Sequence, residues 1–310
     1  MKKIKIAILG GGVIASKYLD ILKHYNGVSL EGICGRTYTK AENLKKQYGI
    51  KKNFTNINDL YNKTESDIVI STVSVENIFK TSKNLLDFPW TIFIEKPPGL
   101  NLKEFIKLKK LAFNRNKKIF VGMNRRYFSS TLNLLNEIKG QKDKRVIHIF
   151  DQQDTNIEKL KKRPKKIIDY WMYANAIHTI DYANFLTRGN IKKIDFLIKT
   201  KKEISCMIQF SSGDIVNYVS RWNKPGPWQI KVSTNKFYYE LSPLEILRVR
   251  DNKSKEYKIF EISDIDKKFK TGFKLQVDDL IRAHTNKKNH LPSLLDLEPT
   301  MRLINKIYSK

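Results

Sequence analysis

The first 122 residues alternate short apolar runs with amphipathic segments. Five apolar runs rich in β-branched residues predict strands at residues 3–9, 28–33, 67–73, 91–94 and 119–122. Between them, apolar side chains recur every three or four positions, which predicts helices over residues 13–25, 40–48, 76–86 and 102–113. This alternation predicts an α/β fold, a doubly wound parallel sheet of the Rossmann type. Ligands of such sheets bind at the carboxyl ends of the strands.

The turn after the first predicted strand has glycines at a spacing that suits a dinucleotide. Gly10 allows the tight turn, Gly12 lets the backbone approach a pyrophosphate, and Ala15 lets the next helix pack closely on the sheet. The phosphates would lie at the positive end of that helix, so Val13 and Ile14 are also predicted to contact the cofactor. The alternative is an ordinary glycine-rich turn.

The pattern changes after Gly122. Helices are predicted over residues 130–138, 171–186, 275–284 and 298–309, a strand over 145–150, and strands joined by short turns over 191–262. This predicts a C-terminal α+β domain with an open, mostly antiparallel sheet. We therefore predict a dinucleotide-binding domain over residues 1–122 and a substrate and oligomerisation domain over 123–310, whose last helix could pack back on the first domain.

The end of the second predicted strand bears on the choice of cofactor. An NAD-selective site usually has Asp or Glu there to hold the ribose 2′-hydroxyl, but this chain has Arg36 and Thr37. Arg36 can pair with a 2′-phosphate, and Thr37 can donate a hydrogen bond to it. The sequence therefore predicts NADP, with NAD as the alternative, since Arg36 could instead stack on the adenine of either cofactor.

Composition excludes several classes of protein. With 310 residues, of which 41% are hydrophobic, the chain can bury a sizeable core. Cys34 and Cys206 lie in apolar runs, which favours buried thiols in a reducing compartment, and hence the cytoplasm, over a disulfide. We expect no signal peptide, because the chain enters a strand at once, and no membrane span. We expect no metal site, because the five histidines lack ligand spacing.

The net charge of +28 is spread along the whole chain rather than gathered in a tail or stripe. Arginine, the usual base-reading residue, is scarce beside lysine. We therefore expect no nucleic-acid partner, although such a partner is the third alternative. A positive field still favours anionic ligands, such as a dinucleotide or a sugar nucleotide.

Four motifs in order resemble those of the Gfo/Idh/MocA family, the glucose–fructose oxidoreductase and inositol dehydrogenase group. They are the glycine turn, Glu95-Lys96-Pro97, Gly122-Met123-Asn124-Arg125-Arg126-Tyr127 and Ile177-His178-Thr179-Ile180-Asp181. The resemblance covers essentially the whole chain. It implies an NAD(P)-dependent oxidoreductase that moves a hydride between the nicotinamide and a CH–OH or keto carbon of a sugar, sugar nucleotide or related polyol. It also adds Glu95 and Lys96 to the predicted cofactor site.

The resemblance implies two catalytic residues, Lys96 and His178. Lys96 would lie near the nicotinamide and the substrate hydroxyl, often with a cis bond to Pro97, and would stabilise alkoxide character or relay a proton. His178 would bind substrate or act as the acid–base group. Without the family context, Lys96 would be a solvent-facing lysine and His178 a structural histidine.

One departure from the family pattern concerns the residues before His178. The common pattern is D-x-G-x-H, but Ala174 takes the place of the acid and Ala176 that of the glycine. Asn175 or Tyr173 could supply a polar group, although neither replaces the charge. The alternative function is therefore a dinucleotide-binding protein with weak or no catalysis, used as a sensor or assembly partner.

Further residues are predicted to bind substrate, and other segments leave alternatives. The predicted substrate-binding residues are Asn124, Arg125, Tyr127, Asn175 and His178; the alternative for the first three is a hinge whose arginines form salt bridges. Asp181 is expected to cap or pair within its own helix.

The basic segment 161–166 either contacts a nucleotide-sugar diphosphate or is solvated. Trp222 and Trp228 either stack on sugar or cover the sheet or an oligomer interface. We expect a homodimer or homotetramer formed through the C-terminal sheet.

Overall fold

The computed structural model describes residues 2–309, apart from the side chains of residues 158 and 160. The chain forms two compact units. Unit 1 comprises Met1–Asn124 and Lys268–Glu298, and unit 2 comprises Arg125–Lys267 and Pro299–Lys310. The sequence predicts a single division, after residue 122; the units divide after Asn124, and residues 268–298 group with the first unit.

Unit 1 contains a six-stranded sheet in the order β3-β2-β1-β4-β5-β6, and all its neighbouring strands are parallel. Its strands are β1 Ile4–Leu9, β2 Val28–Cys34, β3 Lys52–Phe54, β4 Ile68–Ser71, β5 Thr91–Glu95 and β6 Ile119–Gly122. Its helices up to this point are α1 Val13–Leu22, α2 Tyr38–Tyr48, α3 Ile57–Thr64, α4 Ile78–Leu85 and α5 Leu102–Asn114. The strand order reverses between β1 and β4, where ligands of such sheets bind. The predicted doubly wound fold is confirmed.

The local sequence explains these elements. All four residues of β4 and of β6 are buried, as expected when helices cover both faces of a parallel sheet. Asn56 caps α3 by accepting hydrogen bonds from two backbone N–H groups, and Asn101 caps α5 in the same way with one. Gly49 ends α2 in the left-handed conformation. Strand β3 and helix α3 are absent from the sequence prediction, because a strand of three residues and a helix of eight are short segments with few apolar side chains.

Unit 2 contains an eight-stranded sheet in the order β14-β13-β12-β11-β7-β10-β9-β8, antiparallel except for the pair β7 and β10. Its strands are β7 Val146–Gln152, β8 Ile191–Lys199, β9 Glu203–Phe210, β10 Ile215–Arg221, β11 Trp228–Ser233, β12 Phe237–Leu241, β13 Leu247–Asp251 and β14 Lys258–Phe260. Its helices are α6 Ser129–Glu137, α7 Thr155–Leu160, α8 Lys165–Asp169, α9 Trp171–Ala174, α10 Ile177–Phe185 and α11 Asp264–Lys268. Strands β7 and β9 bury every second residue, and helix α10 packs on β7. The predicted, mostly antiparallel sheet is confirmed.

The single helix predicted over residues 171–186 is wrong, because the chain forms α9 and α10 with a break between them. At the break, Asn175 has φ −133° and ψ −48°, outside the helical region. Its side chain donates a hydrogen bond to Gln153, outside either helix. A tertiary hydrogen bond thus replaces helical continuity at this position.

Two helices complete the chain. Helix α12 Phe273–His284 packs on α1 within unit 1, with the rings of Phe273 and Tyr18 4.8 Å apart. Helix α13 Leu294–Tyr308 contributes its first residues to unit 1 and the rest to unit 2. None of the helices that the structure describes is long and apolar enough to cross a membrane. Cys34 and Cys206 are buried free thiols, as predicted.

Candidate functional site

The turn between β1 and α1 requires glycine at one position and leaves space at another. Gly10 has φ +114°, and a Cβ there would lie 2.6 Å from Thr72 Oγ1 and 2.9 Å from the Thr72 carbonyl carbon. Thr72 follows β4, and its N–H donates to the Leu9 carbonyl at 2.7 Å. Gly12 has extended backbone, and within the described chain no atom lies within 4 Å of a Cβ added there. The turn therefore leaves open the space that a pyrophosphate needs.

The N-terminus of α1 fits a phosphate. Gly12 is its N-cap residue, and within residues 2–309 no side chain caps it and no acidic residue lies in its first turn. The first N–H groups of such a helix are donors without helical partners, at the positive end of the helix dipole. Val13 is 75% exposed, unusual for a large apolar side chain, and Ile14 is half-buried. A groove of about 490 Å³ beside this turn includes Val13, Lys17 and Lys40 in its lining.

The end of β2 presents two exposed polar side chains, Arg36 and Thr37. Thr37 is the N-cap residue of α2, but among the described residues its hydroxyl makes no capping hydrogen bond, and the first turn of α2 has no acid. Glu31, earlier on β2, pairs with Lys51 at 2.8 Å. The side chains described at the tip of this strand are therefore basic or neutral.

Glu95 and Lys96 lie at the carboxyl end of β5, and the Lys96–Pro97 bond is cis. Tyr18 Oη donates to Glu95 Oε1 at 2.5 Å, and Gln276 Nε2 donates to Tyr18 Oη at 2.9 Å. Burial raises the pKa of the Glu95 carboxyl, against the opposing effects of the Tyr18 hydrogen bond and of the Lys96 charge. Glu95 is thus held from inside unit 1 by a tyrosine and a glutamine that sequence reasoning missed, and half-buried Lys96 follows directly.

The short 3₁₀ helix Asn124–Tyr127 contains the next candidates. In unit 1, Asn124 Nδ2 donates to the Thr271 carbonyl at 3.1 Å. In unit 2, the Arg125 guanidinium lies 4.6 Å from the Trp228 ring centroid, and Tyr127 is buried. These contacts give Asn124 and Arg125 defined positions, and the predicted substrate contacts remain predictions.

Arg126 forms a two-point salt bridge with Asp181, with both N–O distances 2.7 Å. Asp181 is buried, and Thr300 Oγ1 also donates to it at 2.8 Å. The expectation that Asp181 caps or pairs within its own helix is therefore wrong. Its partners come from Arg126, 55 residues away in the chain, and from α13.

His178 lies in α10, where it is 1% exposed, and Ala174 at the end of α9 is buried as well. Among residues 171–183, all of which the structure describes, Asn175 is the one residue that is not buried. Its Nδ2 donates to Gln153 Oε1 at 2.7 Å. The predicted histidine and asparagine are therefore three residues apart at one helix start, and of the two side chains that of Asn175 reaches the surface.

A buried carboxylate that sequence reasoning missed lies beneath this helix start. Asp151, on β7, has no exposed surface and accepts hydrogen bonds from Gln153 Nε2 and from Tyr218 Oη, the latter at 2.7 Å. Trp222 Nε1 also points at it, at 3.4 Å. Burial raises the pKa of Asp151, and these donors counter the shift. The polar run 151–153 directly after a predicted strand was the available signal.

The structure gives the surroundings of Trp222, Trp228 and the basic segment 161–166, for which the sequence left alternatives. Trp222 is buried and stacks on Tyr308 with ring centroids 4.9 Å apart, so it covers the interior of unit 2. Trp228 instead lines a cavity of about 290 Å³ with Arg125 and Glu245. The basic segment 161–166 is exposed and runs from the end of α7 into α8. Over the described residues, no three His, Cys, Asp or Glu side chains are grouped to hold a metal ion.

A parallel sheet in this strand order, with a glycine turn that leaves room for a phosphate, defines a dinucleotide-binding Rossmann protein. Residues 4–123 match the sequence model of the Gfo/Idh/MocA family, an oxidoreductase family with an NAD-binding Rossmann fold. Over these residues the chain is similar to the Gfo/Idh/MocA oxidoreductases, the family that its motifs resemble.

Two curated relatives are dehydrogenases. The chain is 23% identical over 236 residues to 4-carboxy-2-hydroxymuconate-6-semialdehyde dehydrogenase of Sphingobium sp. strain NBRC 103272 / SYK-6, covering 72% of this chain and 74% of that enzyme. It is 24% identical over 196 residues to inositol 2-dehydrogenase of Salmonella paratyphi B, covering 62% of this chain and 56% of that enzyme. The prediction of an oxidoreductase is confirmed.

Solved structures share the fold along nearly the whole chain. A dehydrogenase from Chromobacterium violaceum superposes with a TM-score of 0.85 at 17% identity, covering 99% of this chain and 94% of that one. The WlbA dehydrogenase from the same organism, solved with NADH and UDP-GlcNAcA, gives a TM-score of 0.76 at 15% identity, covering 99% and 92%. At these identities the likeness establishes the fold.

Proposed function

We propose that this chain is an NADP(H)-dependent oxidoreductase that transfers a hydride between the nicotinamide and a CH–OH or keto carbon of a sugar, sugar nucleotide or related polyol. The observation that carries the proposal is the β1–α1 turn, which leaves open space at Gly12 and an uncapped helix N-terminus within the described chain. Relatives named for inositol and a neighbour solved with a sugar nucleotide support the substrate class.

The choice of NADP over NAD rests on the tip of β2. A 2′-phosphate carries about two negative charges and needs donors, which exposed Arg36 and the hydroxyl of Thr37 offer. A ribose 2′-hydroxyl needs an acceptor there, and the nearest acid on β2, Glu31, is paired with Lys51. We expect Arg36→Ala to raise the Kd of NADPH about tenfold and that of NADH less than twofold.

Nicotinamide fluorescence on titration with protein measures both dissociation constants. Arg221→Ala, which removes an exposed arginine from unit 2, is the matched control. If Arg36→Ala raises the Kd of NADPH and that of NADH by the same factor, Arg36 stacks on the adenine, a role that serves either cofactor. Tighter binding of NADH than NADPH by the unaltered protein would overturn the NADP assignment.

Bound cofactor would supply the hydride, and the protein would hold and protonate the substrate. In unit 1, Glu95 is anchored through Tyr18, which fixes the backbone from which Lys96 extends. The Lys96 ammonium would stabilise charge on the substrate oxygen or exchange a proton with it. In unit 2, His178 would bind substrate or act as acid–base group, with a buried helix holding its backbone.

Turnover tests the proposal directly. Protein with NADPH or NADH is offered myo-inositol, glucose and UDP-N-acetylglucosamine with their keto derivatives, and absorbance of the reduced nicotinamide is followed. We expect turnover of at least one compound and a loss of about 100-fold or more in Lys96→Ala. Lys103→Ala, an exposed lysine on α5, is the matched control. Unchanged turnover in Lys96→Ala would refute its catalytic role.

The second candidate function is a dinucleotide-binding protein without turnover. The buried alanine at position 174 favours it, because this chain has no carboxylate where the family pattern has one. Cofactor binding with no turnover across the panel would support this candidate over the enzyme. The predicted homodimer or homotetramer remains a prediction, which light scattering on the purified protein tests.

A further inference from the structure

We infer that Gln153 and Asp151 orient the Asn175 side chain so that its carbonyl oxygen accepts a hydrogen bond from a substrate hydroxyl. Gln153 and Asp151 are then positioning residues, and Asn175 carries out the substrate contact that an acid at position 174 would make. The inference rests on the proposed function, because it needs a hydroxyl-bearing substrate.

The first observation is the exposure of Asn175. It is half-buried, whereas every other residue of 171–183, including Ala174 and His178, is buried. Its amide nitrogen is engaged by Gln153, and in the described part of the chain its Oδ1 accepts no hydrogen bond. Any ligand that reaches this helix start therefore meets the amide of Asn175.

The second observation is that the amide orientations are fixed by groups with a single hydrogen-bonding role. The Trp171 indole N–H can only donate, and it lies 2.6 Å from Gln153 Oε1. Both Asp151 oxygens accept hydrogen bonds, Oδ1 from Gln153 Nε2 and Oδ2 from Tyr218 Oη, which agrees with this orientation of Gln153. The carbonyl of Gln153 therefore faces Asn175, whose amide nitrogen must point to it. The Asn175 carbonyl oxygen is thereby left available as an acceptor.

The third observation is that Asp151 is itself held firmly. Tyr218 Oη donates to its second oxygen, and Tyr308 Oη lies 2.9 Å from Tyr218 Oη. An asparagine held in one orientation by such a series of hydrogen bonds loses less side-chain entropy on binding than a freely rotating one. This series of hydrogen bonds thus gives an uncharged amide the fixed direction that the family's acid would have provided.

The test uses the full-length protein and the sugar that it turns over in the panel above. Gln153→Met removes all three side-chain hydrogen bonds of Gln153 at similar volume, and Asn175→Ala removes the proposed substrate contact. Each is expected to raise KM about tenfold with kcat changed less than twofold, because the hydrogen bond contributes to binding throughout the reaction. The double variant is expected to lose no more than Asn175→Ala alone.

Controls separate positioning from folding and from the proposed function. The Kd of NADPH is expected to stay within about twofold in all three variants, since none of them alters unit 1. Gln209→Met, which removes a half-buried glutamine on β9 with one long hydrogen bond of 3.5 Å, is expected to leave KM unchanged. An unchanged KM in Gln153→Met, or losses that multiply in the double variant, would overturn the inference.

A second variant covers the case in which Gln153→Met does not fold. In Gln153→Glu, a proton shared with Asp151 preserves the pattern, since the other oxygen of the introduced carboxyl group can still accept from Trp171 and Asn175. KM is therefore expected to be near that of the unaltered protein at low pH. It is expected to rise about tenfold once the shared proton is lost, because the two carboxylates then repel each other and the introduced side chain leaves its place beside Asn175. If the KM of Gln153→Glu depends on pH in the same way as the KM of the unaltered protein, the result counts against the inference.

If no panel compound is turned over, the proposed function fails while the inference is still decided by binding. Protein labelled with ¹⁵N-tryptophan gives four indole N–H signals, one per tryptophan, and Trp171→Phe assigns that of Trp171. Titration with myo-inositol or UDP-N-acetylglucosamine is expected to shift the Trp171 signal in the unaltered protein and not in Asn175→Ala. No shift in the unaltered protein would overturn the inference as well.

Discussion

Gly10 and Gly12, both in the turn between β1 and α1, should respond in opposite ways to the same added methyl group. At Gly10 the methyl would enter occupied space, 2.6 Å from Thr72 Oγ1 and 2.9 Å from the Thr72 carbonyl carbon, at a φ of +114°. At Gly12 the backbone is extended, and within the described chain the methyl would meet no atom inside 4 Å. Gly10→Ala therefore tests the fold, and Gly12→Ala tests the cofactor site.

The magnitudes follow from these contacts. A non-glycine residue at this φ costs about 1–3 kcal/mol, and moving the Thr72 backbone to relieve the overlap costs about 1–3 kcal/mol more. Gly10→Ala is thus expected to lose about 3 kcal/mol, which corresponds to a midpoint lower by about 6–12 °C. Gly12→Ala is expected to keep its midpoint within about 2 °C, because its conformation suits alanine. Its Kd for NADPH is expected to rise at least about tenfold, since the methyl occupies the pyrophosphate's approach.

Thermal unfolding without cofactor and nicotinamide fluorescence with it are the two assays, run on both variants. Stability and cofactor affinity are expected to change separately, with the loss of stability confined to Gly10→Ala. Unaltered NADPH affinity in Gly12→Ala would refute the placement of the pyrophosphate beside this glycine. Equal midpoints for the two variants would refute the claim that Thr72 leaves no room at Gly10.

Three further predictions concern buried groups. Arg126→Ala leaves the buried Asp181 carboxylate without its salt bridge and is expected to lower the free energy of unfolding by about 3 kcal/mol in urea titrations; a loss below about 1 kcal/mol would contradict this. Burial raises the pKa of Glu95, so the stability from its protonated form is lost as pH rises through that pKa. The thermal midpoint of Glu95→Gln minus that of the unaltered protein should therefore be larger at pH 7 than at pH 4. If this difference in midpoint is the same at both pH values, the prediction is wrong. Burial raises the thiol pKa of Cys34 to about 11 and of Cys206 to about 12, so a thiol reagent at pH 8 should label neither until the protein unfolds.

The Rossmann unit could be predicted from sequence because its signals are local. Strands β1, β4 and β6 are mostly apolar runs of four to six residues, and the glycine turn stands directly between a strand and a helix. Strand β3 was not predicted from the sequence, because its three residues, Lys52–Phe54, pair only with β2 at the edge of the sheet. Such a strand is specified by its neighbour rather than by its own pattern.

The site was predictable only as far as its motifs are contiguous. Lys96 and His178 were found because their neighbours in sequence mark them. The salt-bridge partner of Asp181 and the break at Asn175 were not, because both depend on side chains far away in the chain, Arg126 and Gln153. A hydrogen bond between elements can override helix propensity at one residue, and no local pattern reports it.

Packing alone does not explain the carboxylate of Asp151. Its neighbours on the same face of β7, Ile147 and Ile149, are fully buried and apolar, so an aliphatic side chain would suit that face. A buried charge costs several kcal/mol of solvation, and hydrogen bonds such as those from Gln153 and Tyr218 offset that cost without turning it into a gain over an apolar residue. What the carboxylate adds is direction, because it fixes which end of the Gln153 amide faces outward. The carboxyl group absent at position 174 therefore has a counterpart in buried Asp151, which is linked to Asn175 through the hydrogen bonds of Gln153.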